Sequence, residues 1–163
     1  MSVNHLKSNN KSIASNADIV YTPKSTAIEI VNRYKPSGMV LDPCAGDGVF
    51  RELIQNCLWC EIKDGRDFFD WNDHVDWIIG NPPYSIFNQW LEHSFKISDN
   101  IVYLLPIAKV FGSRRRLQMI SKYGGIVEIY APWTGRNLGF PFGWVCGTVY
   151  FKRGHGTQIN FII

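Results

Sequence analysis

Short apolar segments alternate with segments of helical periodicity along most of this chain, and the alternation limits the possible folds more than any other feature. From Gly38 onward the order is MVLD, VFRELIQNC, LWCEI, DWIIGN, IFNQWLEHSFKI and NIVYLLP. Parallel strands need crossover connections that pass over a face of the sheet, so strands separated by helices imply a parallel sheet. The sequence therefore predicts an α/β fold with a mostly parallel sheet and helices on both of its faces.

The segments on either side of this alternation complete the predicted fold. Apolar residues at near-helical intervals predict a helix over residues 24–34, and a basic helix is expected around residues 113–122. The strand GIVEIYA, a loop over about residues 132–143 and the strand CGTVYFK follow. These two strands are joined without a helix, so we expect them to be antiparallel. Residues 158–163 are expected to add a terminal strand or to pack on the sheet edge.

Length and composition indicate one domain. A chain of 163 residues with 45% hydrophobic content can bury a sizeable core but is short for two domains. Residues 1–17 are rich in Ser and Asn and lack apolar periodicity, which predicts a disordered tail before a single domain over residues 18–163. The net charge of +3 permits nucleic-acid binding without demonstrating it. No signal-peptide pattern or long apolar run is present, so we expect a cytoplasmic protein that does not enter a membrane.

The cysteines and histidines show no spacing typical of a metal site. Cys57 and Cys60 have C-x-x-C spacing, but no second Cys or His pair follows them. We interpret both as apolar residues of the strand LWCEI and expect all four cysteines to be reduced. The four histidines stand alone. The sequence therefore predicts no metal.

A glycine-containing turn follows the first strand of the alternation. The strand MVLD ends in Asp42 and leads through Ala45-Gly46-Asp47-Gly48 into a helix, which places small residues where the backbone can approach a ligand. A tight connection alone would also explain the glycines. Glu61 at the end of the next strand can accept both hydroxyls of a ribose, and Asp67 with Phe68 can supply a purine-edge acceptor and an apolar wall. Together they favour a nucleoside-containing cofactor.

The tetrapeptide NPPY ends the next apolar segment, again at the end of a strand. Its two prolines hold Asn81 and Pro82 extended and stiff. The Asn81 side-chain oxygen and the Pro82 backbone oxygen can each accept one hydrogen of an NH2 group, which favours the tetrahedral, positively charged transition state of an aromatic amine that acts as a nucleophile. Tyr84 can stack on a base and face the developing cation. A Pro-Pro turn without chemistry is the alternative.

Residues 18 to about 110 resemble the amino-methyltransferase branch of the S-adenosylmethionine-dependent Rossmann-like family, particularly DNA adenine-N6 methyltransferases. The resemblance implies a Rossmann-like methyltransferase fold, S-adenosylmethionine as cofactor, and a catalytic loop of Asn81, Pro82, Pro83 and Tyr84. The segment DIVYTP is similar to the one that precedes the family's first strand and contacts the methionine part of the cofactor. The cofactor-binding residues that the resemblance implies are Tyr21, Thr22, Pro23, Asp42, Pro43, Ala45, Gly46, Gly48, Glu61, Ile62, Asp67, Phe68 and Asn81.

The chain departs from that family's pattern in two respects. Only five residues separate Glu61 from Asp67, so the helix and longer crossover usual in the family are reduced or missing there. No separate target-recognition domain fits in the chain. Pro43-Cys44 has the letters of a cytosine-C5 methyltransferase nucleophile, but it lies in the cofactor turn, where a base could not reach it.

The NPPY loop indicates the chemistry better than the substrate. Adenine in DNA competes with guanine or adenine in RNA and with a protein glutamine, because similar loops occur in all three groups. Lys109, Arg114–Arg116 and Arg136 could neutralise phosphates, and the aromatic loop APWTGRNLGFPFGW could stack on a displaced base or form a dimer contact. We therefore favour DNA, with RNA as the alternative and with a homodimer or a separate recognition subunit as possible partners. A non-catalytic partner subunit and a nicotinamide-dependent oxidoreductase are the other classes considered.

Overall fold

A computed structural model of the chain describes residues 20–140, 143–156 and 160–162, and in this part of the chain seven strands form one sheet. Their order across the sheet is β2-β1-β3-β4-β6-β5-β7. Neighbours from β2 to β4 are parallel, β6 is antiparallel to both β4 and β5, and β7 is parallel to β5. The strands are β1 (Val40–Asp42), β2 (Leu58–Trp59), β3 (Val75–Gly80), β4 (Ser98–Pro106), β5 (Gly124–Thr134), β6 (Val145–Arg153) and β7 (Asn160–Ile162).

Helices cover both faces of this sheet. They are α1 (Lys24–Tyr34), α2 (Val49–Leu53), α3 (Phe87–Ile97), α4 (Ala108–Phe111) and α5 (Arg114–Tyr123). Tyr34 of α1 packs edge-on against Tyr150 of β6, whereas Phe95 of α3 packs against the next residue, Phe151. Successive strand residues point to opposite faces, so α1 and α3 lie on opposite sides of the sheet. Helix α2 packs beside α1, and α5 beside α3.

These elements confirm the predicted α/β class, with its mostly parallel sheet and helices on both faces. The helix predicted over residues 24–34 has those bounds, and the basic helix begins one residue later than expected, after a Ser113 cap. The loop expected from residue 132 begins only after Thr134, because Trp133 and Thr134 pair with β6 beyond a register shift in β5. The predicted tail over residues 1–17 lies outside the described residues.

The connection between β2 and β3 is short, as the spacing of Glu61 and Asp67 predicted. This stretch is described throughout, and it contains two single-turn 3-10 helices, Ile62–Asp64 and Phe68–Asp70, in place of an α-helix. Strand β2 and helix α2 are also shorter than the apolar segments suggested. In the described parts of the chain no helix has the length and apolar character needed to cross a membrane.

Candidate active site

Three of the predicted site segments, the glycine turn, Glu61 and the NPPY loop, follow neighbouring strands of the sheet. Strands β2, β1 and β3 are adjacent and parallel, so the segments that follow them leave the sheet side by side. We call this side the carboxyl edge. Ligands of open α/β sheets bind at such edges, beyond the strand ends. The glycine turn after β1, Glu61 after β2 and the NPPY loop after β3 are therefore neighbours.

Backbone hydrogen bonds hold the glycine turn in place. The Ala45 N–H donates to the Cys60 carbonyl at 2.9 Å, which ties the turn to the segment after β2. Gly46 has a φ of +51°, in the left-handed region, and a Cβ there would lie 3.1 Å from the Tyr21 ring. A side chain at this position would meet both strain and the tyrosine, so the sequence needs glycine here. Gly48 then begins α2.

Glu61 connects the turn with the segment after β2. One of its carboxylate oxygens accepts the Gly46 N–H at 2.8 Å, and the other accepts the Lys63 N–H at 3.2 Å. The Lys63 ammonium donates to the Tyr21 hydroxyl at 3.3 Å. Tyr21 is exposed, and its ring covers the turn at Gly46. Thr22 and Pro23 are partly buried, and the Pro23 carbonyl accepts the first bond of α1.

Asp42 is a buried acid with an unsatisfied oxygen. Its side chain is 1% exposed; Oδ1 accepts the Cys44 N–H at 3.2 Å, while Oδ2 has no hydrogen-bond partner. Burial raises the pKa of this carboxyl to about 7. Gly80 of β3 approaches closely, since a Cβ there would lie 3.1 Å from both Oδ1 and the buried Pro43 ring. A buried acceptor without a partner marks a place where a donor or a cation would be stabilising.

Asn81 joins three segments of the site. Its side-chain amide donates to the Val20 carbonyl at 2.9 Å, and its backbone carbonyl accepts the Cys44 thiol at 3.0 Å. The first bond holds the segment before α1, and the second holds the glycine turn. Burial raises the pKa of the Cys44 thiol well above its usual range, so the thiol keeps the proton that it donates. Sequence reasoning considered Cys44 only as a nucleophile and missed this contact, because nothing in the local sequence reports a bond between separate loops.

The rest of the NPPY loop is mostly buried. Pro82 is buried and Pro83 partly so. The Tyr84 hydroxyl donates to Asn81 Oδ1 at 2.6 Å, and the ring, 9% exposed, lies 5.8 Å from the Phe140 ring centroid. Tyr84 thus orients the Asn81 side chain, whereas the sequence predicted an open stacking face. Stacking on a base would require the ring to turn away from Phe140.

The two residues predicted to contact adenine differ in their surroundings. Phe68 is buried in the core, with its ring 4.5 Å from that of Trp90, so its side chain does not form a wall at the surface. Asp67 is half-buried and accepts the Phe69 N–H at 3.0 Å. Ile62, beside Glu61, is exposed and is the better placed apolar side chain. The short β2–β3 connection explains the change, because Phe68 must fill space over α3 that a longer crossover would cover.

Two of the predicted phosphate ligands are engaged within the protein. Arg116 is buried, donates to the Asn88 side chain at 2.9 Å and lies over the Phe87 ring. Arg115 forms an ion pair with Glu92 at 3.1 Å. The first turn of α5 packs against α3, which buries the Arg116 guanidinium, whereas the Arg115 side chain stays 69% exposed in a surface ion pair. Arg116 is therefore a structural residue.

The other three basic residues lie on the carboxyl edge beyond the NPPY loop. Lys109 lies in α4, just after β4, and is partly buried; Arg114 begins α5 and is exposed. Arg136 is exposed in the 3-10 turn that follows β5. They surround the side of the edge that is opposite Glu61.

One groove lies apart from this site. A broad groove on the α1 face is lined by Trp77, Glu128 and Tyr150, among others, and includes none of the predicted site residues. Among the residues that the structure describes, no group of three or more His, Cys, Asp or Glu side chains is arranged to hold a metal ion. All four cysteines are free thiols.

The comparisons with known proteins show the fold. No protein-family model matches the sequence, and no curated protein gives a significant match. Among solved structures, the M protein of the type I restriction enzyme EcoKI superposes with a TM-score of 0.64 at 12% identity, covering 86% of this chain and 48% of that one. A proposed class I S-adenosylmethionine-dependent methyltransferase from Listeria monocytogenes gives 0.58 at 14% identity, covering 93% of this chain and 68% of that one.

A proposed RNA methyltransferase from Pyrococcus horikoshii is similar to the same extent, with a TM-score of 0.58 at 14% identity, covering 84% of this chain and 87% of that one. The chain spans about half the length of the type I restriction-modification subunits that it matches. At these identities the fold is what the proteins share. The chain has the Rossmann-like fold of S-adenosylmethionine-dependent methyltransferases.

Proposed function

We propose that this chain transfers a methyl group from S-adenosylmethionine to the N6 amino group of adenine in DNA. The observation that carries the proposal is the position of Asn81, whose hydrogen bonds to Val20 and Cys44 join the NPPY loop to both predicted cofactor segments. Groups suited to a nucleoside cofactor and groups suited to an amine therefore lie together. The fold shared with the EcoKI M protein supports methyl transfer, and the likeness to a proposed RNA methyltransferase keeps RNA as the alternative.

The glycine turn and its neighbours fit S-adenosylmethionine. Asp42 has a buried oxygen without a partner, which suits a positively charged ligand, and Gly46 has no side chain to separate the turn backbone from the Tyr21 ring. Each Glu61 oxygen accepts one backbone N–H and keeps a lone pair, so the carboxylate can also accept the ribose hydroxyls. The exposed Ile62 side chain supplies an apolar contact for the adenine ring. When bound, the cofactor supplies an electrophilic methyl group.

The NPPY loop would hold the amine in the geometry that the transfer needs. The Asn81 side-chain oxygen and the Pro82 backbone oxygen each accept one hydrogen of the target NH2 group. This pulls the hydrogens out of the ring plane and stabilises the positive charge that develops on nitrogen. Tyr84 keeps Asn81 Oδ1 directed through its 2.6 Å bond, and an amide oxygen can accept a second one. The nitrogen keeps both hydrogens while the N–C bond forms, and the electron pair of the broken S–C bond would stay on the sulfur as a neutral thioether. The extra proton then leaves to water, so no side chain has to take a proton during the transfer.

DNA is favoured over a protein substrate by the surroundings of the loop. An adenine must leave the duplex to reach Asn81, which costs a few kcal/mol that contacts to the flanking strand must offset. Arg114 and Arg136 are exposed on this edge and can contact phosphates. We include a homodimer or a separate recognition subunit in the proposal, because the solved structures with this fold include a modification subunit of a proposed type I restriction enzyme and a type I restriction-modification complex.

The test is transfer of labelled methyl from S-adenosylmethionine to unmethylated DNA, RNA and protein pools in parallel, with nucleoside analysis of the product. Asn81→Ala removes the proposed acceptor. Asn72→Ala is the matched control, since Asn72 is exposed in a turn and its amide donates only to the nearby Asp70 carbonyl at 3.0 Å. We expect labelled N6-methyladenine from DNA with wild type and Asn72→Ala, and loss of the label with Asn81→Ala.

The alternative outcomes separate the competing functions. Label found only in RNA or protein would retain amine methylation and refute the DNA substrate. Cofactor binding without label in any pool would refute catalysis by this chain alone and favour the non-catalytic partner subunit. Equal labelling by Asn81→Ala and Asn72→Ala would refute the role of the NPPY loop.

A further inference from the structure

The segment between β5 and β6 forms a raised border of the site, which we call the lip (residues 135–140 and 143–145). Strand β5 runs parallel to β4, so its end and the start of β6 both lie on the carboxyl edge. The Gly135 N–H donates to the Trp144 carbonyl at 2.7 Å and closes the lip at its base. Thr134 and Asn137 form a reciprocal cap at its first turn. Hydrogen bonds within the lip thus fix its conformation next to the site.

The lip is in contact with the NPPY loop. The buried Phe140 ring lies 5.8 Å from the Tyr84 ring, and the Phe140 N–H donates to Gly135 at 2.8 Å. At its other end, the Val145 carbonyl accepts the Ile107 N–H at 3.0 Å, which joins the lip to the segment after β4. The lip therefore adjoins Tyr84, the residue whose hydroxyl bonds to the Asn81 side chain.

The outer side of the lip carries two consecutive exposed apolar side chains. Trp144 is 48% exposed and Val145 58% exposed, in contrast to the buried Leu138 and Phe140 of the same lip. A tryptophan can stack on any base, because every base has an apolar face.

Charge is divided between the two sides of the edge. Residues 42–70, which hold the glycine turn and Glu61, contain seven acids and three lysines or arginines. Residues 100–163, which hold the lip, contain one acid, and four of their lysines and arginines, Lys109, Arg114, Arg115 and Arg136, lie on the carboxyl edge. That acid, Glu128, is bound to Arg33 of α1 at 2.7 Å, away from the lip. The cofactor side therefore suits a cation, and the lip side suits a polyanion.

We propose that the lip binds the nucleic-acid strand that flanks the target base, with Trp144 stacking on a base and Arg136 contacting phosphate. Lys109 and Arg114 extend the phosphate-binding surface along the edge. The inference rests on the proposed function, because it assigns the substrate side of that site. The stacked base is the neighbour of the methylated one or the orphaned partner of a flipped base, and both share the same π-face chemistry.

The experiment measures binding of fluorescent duplex DNA, single-stranded DNA and single-stranded RNA to the full chain by anisotropy at several salt concentrations. We expect Trp144→Ala to weaken binding between about fivefold and a hundredfold, and Trp144→Phe to retain much of it. Met39→Ala is the matched control, since Met39 is 53% exposed and precedes β1 at the opposite edge. It should bind like wild type. The type of nucleic acid whose binding is weakened by Trp144→Ala identifies the one that the lip contacts.

A charge variant tests the same surface independently of stacking. Arg136→Ala should lower the slope of log affinity against log salt by about 0.7 to 0.9, whereas Lys122→Ala, at the far end of α5, should leave the slope unchanged. Thermal unfolding of each variant checks that the fold persists. Equal binding by Trp144→Ala, Met39→Ala and wild type, together with a salt slope of Arg136→Ala equal to that of wild type, would refute nucleic-acid binding by the lip.

The wild-type methylation assay separates this failure from failure of the proposed function. If wild type methylates nucleic acid and Trp144→Ala binds nucleic acid as tightly as wild type does, nucleic-acid binding by the lip is refuted and the proposed function is retained. A wild-type chain that methylates no nucleic acid would refute the function on which the inference rests.

Discussion

Replacement of Asp42 by Asn should make the stability of this protein less dependent on pH. The Asp42 carboxyl is 1% exposed and its Oδ2 has no hydrogen-bond partner, so burial raises its pKa from 3.8 to about 7. The native state therefore binds this proton more tightly than the unfolded chain does. Between about pH 4 and pH 7 the unfolded chain has lost the proton and the native state has not, so stability falls as pH rises through this window.

The size of the effect follows from the two pKa values. Each pH unit between them costs the native state about 1.4 kcal/mol, which gives about 4 kcal/mol above pH 7 as a ceiling. Asparagine carries no charge at any pH. The amide nitrogen of the introduced asparagine would lack a hydrogen-bond partner, as Oδ2 of the protonated aspartic acid does. The two proteins should therefore have similar stability near pH 4. We expect the variant to gain on wild type with rising pH and the gain to level off above pH 7.

Urea unfolding of wild type and Asp42→Asn between about pH 5 and pH 8 measures this difference. Asp73→Asn, at an exposed position, controls for the loss of one surface carboxylate. A stability difference that is the same at every pH would refute the conclusion that burial raises the pKa of the Asp42 carboxyl. If Asp42 also faces the proposed cofactor, the variant should bind S-adenosylmethionine more weakly while being more stable at neutral pH, as is common for residues of a binding site.

Two further predictions concern contacts outside the glycine turn itself. Cys44→Ala should lower the rate of methyl transfer a few-fold, because it removes a hydrogen bond to the NPPY loop worth about 1 kcal/mol; Cys44→Ser keeps a donor and should retain the rate, and equal rates for the two variants would contradict a positioning role. Glu128→Gln should destabilise the protein by about 2 kcal/mol at neutral pH, since Arg33 makes two 2.7 Å bonds to this partly buried carboxylate and lowers its pKa. That loss should disappear as pH falls through the lowered pKa, and a denaturation series that shows it unchanged in acid would contradict the ion-pair origin.

Much of the fold could be predicted because its signals are local. The alternation of apolar and helical segments reports a parallel sheet, and the bounds of α1 follow from apolar spacing with a proline before and after the helix. The end of β5 could not be predicted in this way. Thr134 belongs to the strand only because Val145 pairs with it after a register shift, and a partner eleven residues away leaves no local pattern.

The same contrast between local signals and long-range packing applies to the roles of single side chains. Gly46 and Glu61 were predicted from residue type and position at strand ends, where the topology of a parallel sheet leaves little choice, and the structure brings them together at 2.8 Å. Phe68 has an equally suggestive position, but the short β2–β3 connection directs its ring into the core. Arg116 resembled a phosphate ligand in sequence, yet the packing of α5 on α3 buries its guanidinium.

The class of fold, the glycine turn and the NPPY loop can be read from local patterns, because hydrophobic period, proline and glycine act on the backbone of their own segment. The Cys44 bond to the NPPY loop, the unsatisfied oxygen of Asp42, and the exposure of Trp144 beside the buried Phe140 arise from packing between distant segments. These properties depend on burial and on distances between segments far apart in the chain. Such distances exist only once the sheet has brought its strand ends to one edge.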